Sequence, residues 1–313
     1  MARVATVEPR PPFDFAMALA YFRGSPSAIL ESVEGETLVR AVRLDGQPTL
    51  VSIRGVGTVT EPRLEVRTDA PGGAARLEEA VDFVRRTLRT DEDVGELEAI
   101  AARDAVFGQI VRRFRGLRLL QIPAAFETLI WAILGQQINV TFARKLKGAL
   151  VECYGDRLRS GEREYRVFPE ARTLAELEPA DLTPLQFSRQ KAEYVVRVAR
   201  VCARGELDLE SLADASSEAA IAELVKVRGV GRWTAEYTLM RGLGHRDLIP
   251  AADLGLRKVI AQHYGLAGTA TEAQVRELAA GWAGWRSYAA LYWWFALQER
   301  IPPETSPLPI GDG

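Results

Sequence analysis

Histidine and cysteine are almost missing. Only His245 and His263 occur in 313 residues, too few to build a histidine-based triad or a zinc site. The two cysteines, Cys153 and Cys202, show no CxxC spacing. They cannot form a disulfide framework, so a reducing compartment is expected. No stretch reaches about 18 apolar residues, and residues 1–13 lack the apolar core of a secretory signal. A cytoplasmic protein with no membrane partner is therefore expected. A positive balance is missing too: 40 Lys and Arg against 42 Asp and Glu leave a net charge of −2. That removes the global basic signature of nucleic-acid binding and leaves local charge or backbone as the only routes to it.

What is present reads as an ordinary globular composition, 47% hydrophobic and 26% charged, long enough for two or three domains. The first third mixes helix and strand. Pro11, Pro12 and Asp14 precede an apolar helical run at 15–22, and strand-like stretches follow at 37–44, 49–54 and 63–67. Asp45-Gly46 between the first two is a hairpin signal. A turn is expected at 69–73 and a helix at 77–88, giving an antiparallel sheet packed on one or two helices. Arg54-Gly55-Val56-Gly57 follows a strand and leads into no helix pattern, so it reads as a turn or bulge. From about Glu96 the pattern turns helical. Residues 104–114 are amphipathic and carry, with the following turn, a cluster of Arg112, Arg113, Arg115 and Arg118. A buried helix starts after Pro123 and ends at Gln136-Gln137. Helices are expected at 141–154 and 188–205, the latter with Arg189 and Lys191 at its start, a loop at 162–169, and short helical turns at 174–177 and 180–185.

The chain is organised around residues 224–236. Leu224 and Val227 close one helical turn, Gly229 and Gly231 follow, and a second helical pattern begins with Trp233, Ala235, Tyr237 and Leu239. Two glycines two apart allow positive φ and a tight turn, and the uncovered amides of the second helix favour an anion. This is either a helix-hairpin-helix element that holds DNA phosphate through backbone or an ordinary helical hairpin with a glycine turn. Asp253 then precedes the apolar-periodic Leu254, Leu256, Val259 and Ile260, an N-cap position where capping amides favour the ionised carboxylate. The last helix pattern is rich in aromatics. Most of these belong in a core, whereas Trp285, at a helix start, is expected to be exposed. The tail 302–313 is polar and rich in Pro and Gly.

The run Val227-Arg228-Gly229-Val230-Gly231-Arg232-Trp233-Thr234-Ala235, with Asp253 following Gly231 by 22 residues, resembles the helix-hairpin-helix superfamily of DNA glycosylases. Three further segments, Pro11-Pro12-Phe13-Asp14, Ala132-Ile133-Leu134-Gly135-Gln136-Gln137 and Trp285-Arg286-Ser287-Tyr288-Ala289, are similar to its bacterial alkylation-repair branch, the 3-methyladenine DNA glycosylase II or AlkA type. The resemblance implies an α+β fold: a small N-terminal domain with an antiparallel sheet at 1–95, then a two-lobed helical core. One lobe combines 96–124 with 246–313, and the other, 125–245, holds the hairpin. It places Asp253 on the catalytic aspartate, and Trp233, Tyr237 and Trp285 on the base pocket. It places Gly229, Gly231, Thr234, Gln136 and Gln137 on DNA-contacting positions. Gln137 falls where a side chain enters the gap left by a flipped nucleotide, a place the best-known AlkA-type enzyme fills with Leu. Carbonyls of Val225, Val227 and Gly229 fall on a monovalent cation site, for Na or K; no cofactor is implied for catalysis.

The same resemblance implies a monofunctional enzyme, since Trp233 stands where bifunctional relatives carry a Schiff-base Lys. It implies no iron–sulfur cluster, since no cysteine follows Cys202. The expected substrate is double-stranded DNA carrying alkylated, cationic purines, and the expected state is a monomer. Arg112–Arg118, Arg189 and Lys191 are candidate phosphate contacts. The alternatives are a glycosylase for oxidised or mismatched bases and, from another class, a non-catalytic binder of DNA structure.

Overall fold

In the computed structural model, residues 3–23, 30–68, 73–122 and 124–299 are described. Most of the turn expected at 69–73, the helix start expected at Pro123 and the tail at 302–313 lie outside the described residues. Two compact units make up the chain, Met1–Val94 with Arg115–His245, and Gly95–Phe114 with Arg246–Gly313.

The first unit opens with a sheet built by local turn chemistry and alternation. Strand β1 (Arg3–Val7) is followed by helix α1 (Phe15–Arg23), then β2 (Glu31–Glu34), β3 (Thr37–Leu44), β4 (Gln47–Gly55) and β5 (Leu64–Thr68). Asp45 and Gly46 take φ of 43° and 70°, the left-handed pair that a two-residue hairpin demands, and Leu44 pairs with Gln47. The order is β1-β5-β4-β3-β2, and every pairing is antiparallel. Three strands stand where alternation predicts them. The two edge strands, β1 and β2, are not announced by the sequence pattern; they pair with β5 and β3. Helix α2 (Gly73–Leu88) buries Ala80, Val81, Val84 and Leu88 and packs on β5 and β1.

The rest of this unit is mainly helical: α5 (Ala125–Gly135) and α6 (Val140–Tyr154), then, past a hairpin, α7 (Ala171–Ala175), α8 (Pro179–Leu182), α9 (Arg189–Ala203), α10 (Ser217–Leu224) and α11 (Arg232–Thr238). The loop expected at 162–169 is corrected. Strands β6 (Asp156–Ser160) and β7 (Arg163–Val167) pair across Gly161, whose φ is +59°. Charged residues, chiefly Arg, fill three of the five positions in each strand, which hides the alternation. Only Tyr165 and Val167 are buried, against Ala41 and Leu50 of the large sheet. A second feature no periodicity predicts is a buried chain of charge: Arg40 meets Glu31 at 2.7 Å and Glu127 at 3.3 Å, and Glu127 meets Lys147 at 2.6 Å. All four are buried. Burial pushes the Glu127 carboxyl up, but Lys147 and Arg40 more than offset this and hold it below the usual carboxylate range.

The second unit is helical: α3 (Gly95–Ala101), α4 (Ala105–Arg113), α12 (Leu254–His263), α13 (Glu272–Ala279) and α14 (Arg286–Gln298). Its core is aromatic, with Phe107 beside Trp282 and Trp293 at 5.1 and 5.9 Å between ring centroids. Asp104 caps α4 through Oδ1 and accepts from Tyr264 and Trp282 through Oδ2. Among the described residues, no helix is long and apolar enough to cross a membrane.

Candidate nucleic-acid interface and catalytic residues

Helices α10 and α11 flank the turn that the sequence centres on. Gly229 takes φ +102°, and a Cβ there would lie 2.4 Å from a ring carbon of Tyr194, so only glycine fits. Gly231 corrects the expectation of two positive-φ glycines. Its φ is −90° and ψ 174°, an extended N-cap without a side chain to cap α11. A Cβ on it would meet nothing within 4 Å. Its use is therefore to leave the first amides of α11 uncovered, not to turn the chain. The adjacent Arg232 is paired with Glu218 at 2.6 Å and Glu236 at 2.9 Å, so the tip gains little free positive charge from it.

The end of α5 is tied to this hairpin. Gln136 donates its amide to Gly229 O at 2.9 Å and to Thr234 Oγ1 at 3.0 Å. Thr234 is 2% exposed, so its hydroxyl serves this bridge rather than an outer surface. Lys191 donates to Ile133 O at 3.0 Å and Gln136 O at 2.6 Å, which satisfies orphan carbonyls at the α5 terminus. Burial holds its ammonium below the ordinary lysine range. Lys191 is thus a helix-end clamp, which corrects its reading as a phosphate contact. Arg118 is corrected likewise: it is 1% exposed and donates to Arg10 O. Arg112, Arg115 and Arg189 remain exposed, as does Arg113, which pairs with Glu299. Gln137, next to the bridged Gln136, is exposed and holds φ +58°.

Trp233 and Tyr237, one turn apart on α11, lie 5.6 Å between centroids, tilted by 34°. Tyr237 is fixed by a residue of the buried helix α5. Trp131 Nε1 donates to its hydroxyl at 3.0 Å, and the Lys147 ammonium stands 5.7 Å from the Trp131 ring. Trp233 Nε1 is buried with no hydrogen-bond partner among the described residues. Carbonyls of Val225, Val227 and Gly229 are neutral hard oxygens, the donor type for Na or K. Gly229 O already accepts from Gln136 and Val227 O from the Val230 amide, so each shares its second lone pair. Among the described residues, no group of three or more His, Cys, Asp and Glu could hold a metal. His245 is held by Ser217 and Leu212 O, and His263 packs on Trp293.

In the second unit, Asp253 caps α12 as expected: the Leu256 amide donates to Oδ1 at 2.7 Å. Trp294 Nε1 donates to the same oxygen at 3.2 Å. The expectation that Trp285 is exposed is corrected, since it is 1% exposed. Its Nε1 donates to Glu96 at 2.9 Å, its edge meets Tyr288, and the Arg246 guanidinium lies 4.3 Å from its ring centroid. A helix start is usually a surface position, but these three neighbours close over it.

Residues 130–284 match the HhH-GPD superfamily base excision DNA repair protein, and residues 5–127 match the AlkA N-terminal domain. The DNA-3-methyladenine glycosylase of Bacillus subtilis (strain 168) is 31% identical over 285 residues, 91% of this chain and 94% of that protein. DNA-3-methyladenine glycosylase 2 of Escherichia coli (strain K12) is 28% identical over 93% of this chain and 96% of its own. The solved 3-methyladenine DNA glycosylase from Archaeoglobus fulgidus superposes with a TM-score of 0.83 at 26% identity. That match covers 95% of this chain and 99% of the other. The chain belongs to the HhH-GPD superfamily of base-excision DNA repair proteins, in the branch that also carries an AlkA N-terminal domain.

Proposed function

We propose that this protein is a base-excision DNA glycosylase that flips out alkylated, cationic purines, such as 3-methyladenine and 7-methylguanine, and hydrolyses their N-glycosidic bond. The observation that carries the reading is Asp253. In a chain of this family it is a half-buried carboxylate fixed at a helix start through one oxygen.

A base inside a duplex is out of reach, so the nucleotide must leave the stack. Alkylation at a ring nitrogen makes the base cationic. It departs with the electron pair of the C1′–N bond as a neutral molecule and needs little acid catalysis. What needs help is the oxocarbenium-like sugar. Asp253 stabilises that charge, water adds to C1′, and a proton passes to solvent. Trp233, Tyr237 and Trp285 supply aromatic surface for the base, worth about 0.5–2 kcal/mol per cation–π contact. Support for a cation-holding role comes from Trp285, whose face carries a planar cation, the Arg246 guanidinium, at 4.3 Å.

Gly229 and Gly231 present backbone amides to DNA phosphate, and the bridge from Gln136 to Gly229 and Thr234 keeps that turn rigid. Since Gln136 is engaged, exposed Gln137 is the residue that enters the gap in the duplex. A monovalent cation held by Val225, Val227 and Gly229 carbonyls reinforces the turn. The enzyme is monofunctional and acts as a monomer on double-stranded DNA. The test is a panel of duplexes carrying 3-methyladenine, 7-methylguanine, hypoxanthine or 8-oxoguanine, scored for abasic product. Release of the methylated purines and little of 8-oxoguanine is expected. Release confined to 8-oxoguanine, or binding without release from any duplex, overturns the reading.

A further inference from the structure

We propose that Lys191 is a positioning residue for the segment that enters the duplex: it closes a triangle of contacts that makes Gln137 and the phosphate-holding hairpin one preformed surface. The inference rests on the proposed function for what that surface does, but its geometry stands alone. The first side of the triangle joins α9 to the end of α5. The Lys191 ammonium donates to Ile133 O at 3.0 Å and to Gln136 O at 2.6 Å, carbonyls of a last turn to which the helix itself supplies too few amides. The second side joins the end of α5 to the hairpin, through the Gln136 amide on Gly229 O and Thr234 Oγ1. The third joins the hairpin back to α9. Tyr194 stands three residues beyond Lys191, on the same face of α9. Its ring lies against Gly229, where an added Cβ would come within 2.4 Å of it. Three segments distant in sequence thus fix one another pairwise.

Gln137 is what the triangle holds out. It is exposed and takes φ +58°, a left-handed conformation that a residue with a Cβ keeps only where its surroundings impose it. Here both ends of its loop are anchored. Gln136 is tied as described, and the Asn139 side chain accepts from the Phe142 amide at 2.8 Å to start α6. Only Gln137 and Ile138 lie between the two anchors. Lys191 sits on the negative end of the α5 dipole, and without it Ile133 O and Gln136 O lose a charged donor. The consequence is preorganisation. A side chain already fixed relative to the phosphate-holding turn needs no ordering when the nucleotide leaves the stack, so binding does not carry that cost.

The experiment uses the full chain with Lys191→Met, which keeps the stem and removes the charge and its donors. Two duplexes carry 7-methylguanine. In one the lesion pairs with cytosine. In the other it is unpaired in a one-nucleotide bulge, where it leaves the stack easily and no partner base faces a gap. Single-turnover release from the paired lesion should fall about tenfold, equal to about 1.4 kcal/mol, while release from the bulge changes less than twofold. A lysine that serves only folding would slow both alike. Gln136→Ala cuts the second side and should give the same pattern, and the double variant should lose little more than the worse single one. Independently of activity, hydrogen exchange read by mass spectrometry should quicken on Lys191→Met in two segments at once, 134–140 and 227–232. Equal slowing on both duplexes, a paired-lesion rate within twofold of wild type, additive losses in the double variant, or quicker exchange in 134–140 alone each overturn the proposal. A wild-type protein that releases no base sinks the functional reading instead, and hydrogen exchange still decides whether Lys191 ties the two segments together.

Discussion

Replacing Asp253 with Asn separates capping from chemistry, because the two depend on different properties of the same side chain. Asn keeps an Oδ1 acceptor for the Leu256 amide and the Trp294 indole, now 2.7 and 3.2 Å from the Asp oxygen. Asn and Asp are equivalent N-caps. What folding loses is the attraction of a negative charge to the helix start, about 0.3–1 kcal/mol, or a Tm drop of about 1–4 °C for a chain of this size. The reaction loses far more. A carboxylate about 4 Å from a developing positive charge, at an effective dielectric near 20, is worth about 4 kcal/mol. That converts to roughly a thousandfold in rate. The assay is single-turnover base release from a 7-methylguanine duplex, with abasic product read after alkaline cleavage. Duplex affinity is measured separately by fluorescence anisotropy. The expected result is a rate down by about three orders of magnitude, an affinity changed by less than about threefold, and nearly unchanged melting. Excision by Asp253→Asn within a few-fold of wild type would show that the residue only caps α12, and the electrostatic argument would fail.

Borohydride should trap no covalent adduct between the wild-type protein and damaged DNA, since Trp233 offers no amine; a trapped adduct would end the monofunctional reading. Trp285→Leu should slow release of cationic 7-methylguanine by roughly 5- to 30-fold through about 1–2 kcal/mol of lost cation–π attraction. Neutral hypoxanthine should lose less, and equal losses would make Trp285 merely structural. Glu127→Gln should cost about 3–5 kcal/mol at pH 7, because it strands the buried Lys147, as measured by urea unfolding. Glu127 is held below its ordinary range by Lys147 and Arg40. Its stabilisation is therefore present above the usual carboxylate range and lost as pH falls through the folded value. The gap between wild type and variant should narrow on going from pH 7 to about pH 4; a constant gap would mean the loss is one of packing.

Features whose cause is local were legible in the sequence. Asp45-Gly46 makes its hairpin because the turn needs two left-handed residues, and Asp253 caps because the hydrogen bond spans three residues. Gly229 was legible as a glycine the turn requires. Gly231 was not distinguishable from it, since whether a glycine is chosen for φ or for an absent side chain depends on what stands opposite. Trp131 and Trp294 carried no signal as site residues, and Lys191 reads in sequence as a phosphate contact rather than a clamp. Each looks like part of an ordinary helix until another segment supplies its partner, Tyr237, Asp253 and the α5 terminus respectively.

By itself the sequence determined the helical hairpin, the capped carboxylate, the strands of the central meander and, through four ordered motifs, the family. These follow from backbone preference and from patterns within a few residues. Only the tertiary structure decided which charges are spent inside. Arg118 bonds Arg10 O, Lys191 clamps α5, and Glu31, Arg40, Glu127 and Lys147 form a buried chain. It also decided that Trp285 is covered and that 156–167 is a hairpin. Burial and the pairing of distant groups set the energy of a charge or a strand edge, and neither is a property of the residue or its neighbours in sequence.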